Sequence, residues 1–341
     1  MRIGVLTGGG DCPGLNPAIR AVVYRAMDYR DEVIGIRAGW AGLLTKETVP
    51  LRLEDVEEII SQGGTILHTS RTNPLKKEED LEKCIQNFKE LSLDALIAIG
   101  GDDTLSVANA LYKRGIPTVG VPKTMDNDLS GTDVTFGFDT AVTVAMEALA
   151  RLKDTARSHF RVMVFEVMGR HAGWVALYTA IGGGADYVLI PEVPLDMDAL
   201  VEHIKKVRER GKPYAIVVAS EGVELPKEEE EEVRVDAFGH KILRERQVAS
   251  WLADQIEKRT GYETRWVQIG HIQRGGPPTL YDRMLATRLG IKAVDMVHQG
   301  EFGKMAAIKG QEITSVSLEE AVAKTKTVPK ELLEEFKTLF K

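Results

Sequence analysis

Apolar and polar positions along this chain follow two periods. Short apolar-rich runs at 3–7, 33–36, 95–99, 118–121, 161–167, 187–190, 214–219 and 266–269 read as strands. Several have no polar member, the pattern of strands buried on both faces. Between them lie stretches with one apolar helix stripe: Ile19, Val22, Val23, Ala26 and Met27; Leu105, Ala108, Leu111 and Tyr112; Val248, Leu252 and Ile256 within 245–259; and Leu285, Leu289, Ala293 and Val297. Asn16-Pro17 reads as N-cap and first residue of the first helix, Gly115 and Pro117 stop the second, and Asp282 caps the last, which Gly300 ends. A further helix is predicted over 137–153, and Leu332, Leu333, Phe336, Leu339 and Phe340 predict a small amphipathic C-terminal helix that docks. Strand–loop–helix repetition predicts right-handed βαβ units and parallel sheets. With 341 residues, the chain is expected to form two doubly wound α/β lobes with the site in the cleft between them.

Composition narrows the functional classes. The 43% hydrophobic content suits packed cores, while 28% charged residues and a net charge of −7 argue against nucleic acid or an anionic membrane as partner. Two cysteines, Cys12 and Cys84, are too few for a disulfide framework and fit a reducing compartment. Residues 1–2 run straight into a strand, leaving no room for a signal peptide, and no apolar run reaches transmembrane length, so a soluble, cytoplasmic protein is expected. The acidic block 226–232 needs no function beyond a solvated excursion.

Candidate chemistry concentrates where strands end. After 95–99 comes Gly100-Gly101-Asp102-Asp103, and after 118–121 comes Pro122-Lys123-Thr124-Met125-Asp126-Asn127-Asp128. In one βαβ unit both loops leave the carboxyl edge of the sheet, where open α/β sheets bind ligands. Adjacent glycines and a helix N-terminus suit an anion, yet Asp102, Asp103, Asp126 and Asp128 would repel a bare phosphate. Mg²⁺ reconciles the two, because it takes oxygen ligands from one or two carboxylates and from substrate phosphates. A remaining carboxylate can then deprotonate an attacking hydroxyl. Either loop alone is equally well read as solvated turn aspartates; two on adjacent strands favour the ligand. The glycine loop 8–14 is neither a Walker A motif nor a dinucleotide fingerprint, since Pro13 replaces the last glycine. Arg161, Arg170, Glu221, Arg265, His271 and Arg274 also lie beside strand ends. Singly, each arginine is more often a surface ion pair. Were they to converge on one cleft, their guanidinium groups would suit phosphate oxygens, the glutamate sugar hydroxyls and Asp126 the reacting hydroxyl as base, which is what a sugar phosphate asks for.

GGDDT at 100–104, PKTMDND at 122–128, VMGR at 167–170 and GHIQRGG at 270–276 together resemble the 6-phosphofructokinase family, over residues 3 to about 293. GGD-x-T by itself also resembles NAD and diacylglycerol kinases, a remote alternative that leaves the other motifs unexplained. The resemblance implies the phosphofructokinase fold, with a phosphoryl-donor and Mg²⁺ lobe of 1–138 plus 273–323 and a sugar-phosphate lobe of 139–272 plus 324–341. It implies Asp102 as the magnesium carboxylate, Gly10, Arg71, Asp103, Thr104 and Lys123 around the donor, and Thr124 beside the transferred phosphoryl. Asp126, Thr124, Arg170, Asp128 and Lys123 are the expected catalytic set. Met168, Gly169, Arg170, Glu221, His271 and Arg274 match fructose 6-phosphate contacts. Arg161 and Arg265 match a pair supplied by a neighbouring subunit, which implies a homo-oligomer.

The family divides by donor. ATP users generally carry glycine where this chain has Asp103, and many carry glycine at the position of Lys123. Aspartate adds bulk and negative charge where an α-phosphate would approach, and lysine places a point cation beside a compact diphosphate. The pair resembles the pyrophosphate-dependent members, with ATP as the alternative donor. The expected reaction is phosphorylation of fructose 6-phosphate at its 1-hydroxyl to fructose 1,6-bisphosphate. Regulated members hold a nucleotide effector with arginines matching Arg20 and two positions that here read Tyr24 and Leu53. Lys153, Asp186 and Lys212 remain, so a weakened anion pocket is expected.

Overall fold

The computed structural model describes residues 1–226, 235, 238–239 and 247–340. Eleven strands are assigned among them: β1 (Arg2–Thr7), β2 (Glu32–Ile36), β3 (Thr48–Leu51), β4 (Ala95–Gly100), β5 (Thr118–Pro122), β6 (Val162–Val167), β7 (Tyr187–Leu189), β8 (Ala215–Ser220), β9 (Thr264–Gln268), β10 (Lys304–Lys309) and β11 (Glu312–Ser317). Two compact units result. One comprises Met1–Met125, Leu129–Thr140 and Arg274–Thr325; the other comprises Asp126–Asp128, Ala141–Gln273 and Lys326–Lys341.

The first unit holds a seven-stranded sheet ordered β11-β10-β5-β4-β1-β2-β3. Its five central strands are parallel, and β3 and β11 are antiparallel edges. Ile3, Val5, Ile97, Ile99, Val119 and Val121 are fully buried, packed with Ile19 and Val22 of helix Leu15–Asp28 and Leu289 and Ala293 of helix Leu280–Gln299. Each such side chain contributes roughly 1.5–3 kcal/mol by leaving water. The two helices approach closely because Gly290 has no side chain: a Cβ there would stand 2.7 Å from the Ala18 carbonyl oxygen. The chain leaves β1 toward β2 and returns on the other side as β4, so the carboxyl ends of β1 and β4 form a topological switch point.

The second unit holds four parallel strands ordered β7-β8-β6-β9, with β6 at its own switch point. Glu166 is a charged residue in the fully buried β6. Its carboxylate accepts from Ala249 N at 2.7 Å, in the first turn of helix Val248–Thr260, and from Gln268 Nε2 at 2.6 Å. An anion at a helix N-terminus satisfies orphan donors and the macrodipole together.

Several expectations need correction. The first helix is capped by Gly14 at φ 112°, not by Asn16, and a Cβ at residue 14 would meet Phe136 at 2.6 Å. Asn16 lies inside the first turn, where its amide donates to the carbonyls of Gln62 and Gly63 and accepts from Ile66 N. Thr279, not Asp282, caps helix Leu280–Gln299. The Asp282 carboxylate instead accepts from Thr140 N at 2.8 Å and Thr140 Oγ1 at 2.5 Å, at the start of helix Phe138–His159. That helix runs six residues past the predicted 153, and the strand predicted at 266–269 is β9, which begins two residues earlier and ends one earlier.

Strands β3, β10 and β11 and helices Glu78–Glu90 and Met197–Glu209 were not anticipated. Strand β3 carries Pro50, tolerated because β3 is an edge. The C-terminal helix, Lys330–Phe336, buries no residue fully; Leu332, Leu333, Phe336 and Phe340 of its stripe are half-buried, while Leu339 is 54% exposed. The acidic block beyond Pro226, and Glu245 and Arg246 of the predicted helix, lie outside the described residues. Both cysteines are buried free thiols, and no helix among the described residues is long and apolar enough to cross a membrane.

Candidate active site

In the first unit three loops leave the same sheet edge. The register pairs Thr7 with Ile99 and Gly100 with Pro122, so the loops after β1, β4 and β5 begin side by side. Gly8 N donates to Ile99 O, Lys123 N donates to Gly100 O, and Gly9 N donates to Ser70 O. Thr69 Oγ1 returns a hydrogen bond to Gly9 O at 2.6 Å, which brings the segment carrying the exposed Arg71 to the glycine loop. Thr104, 2% exposed, is wedged against Gly8 and Gly100; a Cβ at either would lie within 2.5 Å of its side chain. Asp102 and Asp103 occupy the first turn of helix Asp102–Lys113, where carboxylates are favoured by the dipole.

Two cations meet at Gly10. The buried Lys123 ammonium donates to the Gly10 carbonyl oxygen. The Arg274 guanidinium lies so close that a Cβ at residue 10 would stand 1.8 Å from Nη1. The result is a backbone turn lined by an ammonium and a guanidinium, the donor set for a compact polyanion. Burial pushes the neighbouring Cys12 thiol up to about 12, outweighing the opposite pull of Lys123 and Arg274. Cys12 therefore stays a neutral packing residue, with Gly137 pressed against its Sγ.

In the second unit the carboxyl ends of β6, β8 and β9 gather the residues expected at the sugar phosphate. Met168 N donates to Gln273 Oε1 at 2.8 Å, Ser220 Oγ donates to Gly169 O at 2.5 Å, and Gly169 N donates to Glu221 Oε1 at 3.4 Å. Gly169 adopts φ 142°, a backbone that favours glycine. Gly222 lets the Arg170 carbonyl approach, since a Cβ there would lie 2.3 Å from that oxygen. His271 is exposed in the short helix Gly270–Arg274. Asp126–Asp128 belong to this unit, directly after Lys123, Thr124 and Met125 of the other. Burial raises the Glu221 carboxyl to about 7, with the like charge of Asp126 as the second cause. Arg161 and Arg265 stand together as well: Nη2 of each contacts Glu263 Oε1, at 2.8 Å and 2.6 Å. Sequence reasoning missed Glu263 and Glu192, since lone acidic residues on a strand edge or in a turn look solvated.

The cations expected near an effector are partnered internally. Arg20 stacks 4.0 Å from the Tyr24 ring centroid and donates to Glu57 O. Lys153 donates to the carbonyls of Gly183 and Gly184, and Lys212 pairs with both Asp186 oxygens at 2.6 and 2.7 Å.

Residues 2–297 match the family described as Phosphofructokinase. The chain belongs to the phosphofructokinase family. It is 57% identical to the pyrophosphate–fructose 6-phosphate 1-phosphotransferase of Dictyoglomus thermophilum, over 100% of this chain and 99% of that one. It is 53% identical to ATP-dependent 6-phosphofructokinase 3 of Streptomyces coelicolor, over 96% of this chain and 97% of that one. Among solved structures, the T-state phosphofructokinase of Pichia pastoris superposes with a TM-score of 0.84 at 32% identity, covering 94% of this chain and 35% of the yeast chain. The α/β fold with mostly parallel sheets is thus the phosphofructokinase fold.

Proposed function

We propose that this phosphofructokinase transfers a phosphoryl group from pyrophosphate to the 1-hydroxyl of fructose 6-phosphate, forming fructose 1,6-bisphosphate and phosphate. One observation carries the donor assignment: Lys123 and Arg274 converge on Gly10, while Asp103 stands in the first turn after β4. Lys123 held against that turn suits a small diphosphate, with Arg274 shared with the sugar phosphate, and an aspartate at that turn crowds and repels the α-phosphate of a nucleotide. The 57% identity to a pyrophosphate-dependent enzyme supports the same reading.

Asp126 accepts the proton of the 1-hydroxyl as its oxygen attacks phosphorus and the bond to the departing phosphate breaks. Lys123 and Arg170 stabilise charge developing on the transferred and leaving oxygens, Thr124 orients the phosphoryl group, and Asp128 supports the loop electrostatically. Gly10, Arg71, Asp103 and Thr104 surround the donor. Met168, Gly169, Arg170, Glu221, His271 and Arg274 bind the sugar phosphate, with Arg161 and Arg265 of a neighbouring copy taking its phosphate in a homo-oligomer of the cytoplasm.

Asp102 fits a magnesium role. It is exposed in the first turn of its helix, and among the described residues no group of three or more acidic, His or Cys side chains could hold an ion alone. An ion there would take its other oxygens from phosphates and water, as Mg²⁺ does. When bound, Mg²⁺ would neutralise donor charge and polarise the transferring phosphoryl. The test is steady-state turnover of fructose 6-phosphate with pyrophosphate and, separately, with ATP. A kcat/KM ratio well above one supports the reading, and a ratio well below one overturns it.

A further inference from the structure

The loop that carries Asp126 is tied to a distant part of the chain. Asn127, 4% exposed, sits at φ 53°, a left-handed backbone that asparagine adopts more readily than most residues, and its side chain is turned inward. In the second unit the chain returns alongside this loop long after the motif has ended. Lys326 N donates to Asp128 O at 2.7 Å, and Lys326 Nζ donates to Asn127 Oδ1 at 2.9 Å. The same ammonium lies 5.5 Å from the centroid of the Trp174 ring, and Lys326 O accepts from Trp174 Nε1 at 2.7 Å.

Trp174 opens helix Trp174–Gly183 directly after the 168–173 loop that bears Arg170. Two residues beyond Lys326, Val328 N donates to Glu192 Oε1, and the Glu192 carboxylate also accepts from Gly173 N at 2.9 and 3.1 Å. Residues 326–328 therefore join the Asp126 loop to the Arg170 loop at both ends. Lys326 contributes to that strap with its backbone N–H, its carbonyl and its side chain together. It also lies outside residues 2–297 that match the family.

We propose that Lys326 is a positioning residue: through Asn127 and Asp128 it holds the Asp126 carboxylate at the height from which it takes the hydroxyl proton. This rests on the reading of Asp126 as base. A reacting group misplaced by about 1 Å can cost about 10²-fold in rate, so small loss of registration is enough to matter.

The test uses the full-length enzyme with its substrates and Mg²⁺. Lys326→Met keeps an unbranched side chain of similar length and removes the donor. It should lower kcat about ten- to a hundredfold while KM for fructose 6-phosphate changes less than about threefold. Asn127→Gly removes the acceptor yet tolerates the positive φ, so it should give the same split without backbone strain. Because both act on one contact, the double variant should be no slower than the slower single variant. Lys326→Arg should recover most of the rate. Introduced into Asp126→Asn, Lys326→Met should have no further effect. A kcat within twofold of wild type in both single variants overturns the proposal, as does an equal additional loss on the Asp126→Asn background. A near-normal rate in Asp126→Asn alone is a different failure, that of the base assignment. If Lys326→Met does not fold, Asn127→Gly and Lys326→Arg decide the matter by the same criteria.

Discussion

The ammonium of Lys123 donates to the carbonyl oxygen of Gly10, tying the loop after β5 to the loop after β1. A cation already held against the glycine turn is preorganised for the charge that moves during transfer, so little reorganisation is spent at reaction. Lys123→Met should lower kcat/KM for pyrophosphate about 10²-fold, the usual cost of losing one such group. Initial rates at varied pyrophosphate check this; a loss under threefold would remove Lys123 from the transfer step.

Asp103 is expected to act by exclusion. Asp103→Gly should raise kcat/KM for ATP about tenfold by removing a repulsive group rather than by adding a contact. Pyrophosphate kinetics of the same variant should move less. Unchanged ATP kinetics would show that another residue selects the donor.

Asp126→Asn should reduce kcat by about 10²- to 10⁴-fold, the range for a lost general base, with fructose 6-phosphate affinity nearly unchanged. Isothermal titration of the sugar phosphate alongside turnover separates the two effects. Loss of affinity with normal turnover at saturation would reassign Asp126 to binding.

Arg161 and Arg265, held on one oxygen of Glu263, present two guanidinium groups together. Arg161→Ala should raise KM for fructose 6-phosphate about 10- to 100-fold, the weight of a charge-assisted hydrogen bond. Mixed under conditions of subunit exchange, Arg161→Ala and Asp126→Asn proteins should recover activity, because hybrid assemblies contain intact sites. Demonstrated exchange with no recovery would place both arginines in their own chain's site.

Glu221 gives a pH signature. Burial, with Asp126 second, raises its folded pKa from 4.5 to about 7. The folded state therefore binds the extra proton between those values, so this group's contribution is full below pH 4.5 and is lost as pH rises through about 7. Glu221→Gln should remove that loss, stabilising the substrate-free protein on the order of 1 kcal/mol at pH 8 relative to pH 4.5. Urea unfolding of both proteins across that range reads the difference, while KM for fructose 6-phosphate rises. A parallel pH dependence in the two proteins would mean that Glu221 titrates as an ordinary carboxyl.

Buried strands and glycine loops were legible in the chain itself, because their cause is local. Runs such as Ala95–Gly100 are apolar throughout and stop at glycine, and the register Thr7–Ile99 and Gly100–Pro122 follows from parallel pairing of such runs. The acidic and basic residues of the loops after them were legible for the same reason, as charges placed where strands must end. What each charge touches was not. Asn16 and Asp282 have the local signature of helix caps, but Asn16 serves carbonyls at Gln62 and Gly63, and Asp282 serves Thr140, on another helix. Local propensity describes what a residue can satisfy nearby; a buried polar group is satisfied by whichever partner the packing delivers. Glu263 between two arginines, Arg274 over Gly10 and Lys326 on Asn127 all depend on segments brought together by the sheet order. Lys326 and Asn127 are 199 positions apart, so no spacing rule could link them. Only the folded chain, by closing that distance, decides which lysine supports the reacting loop.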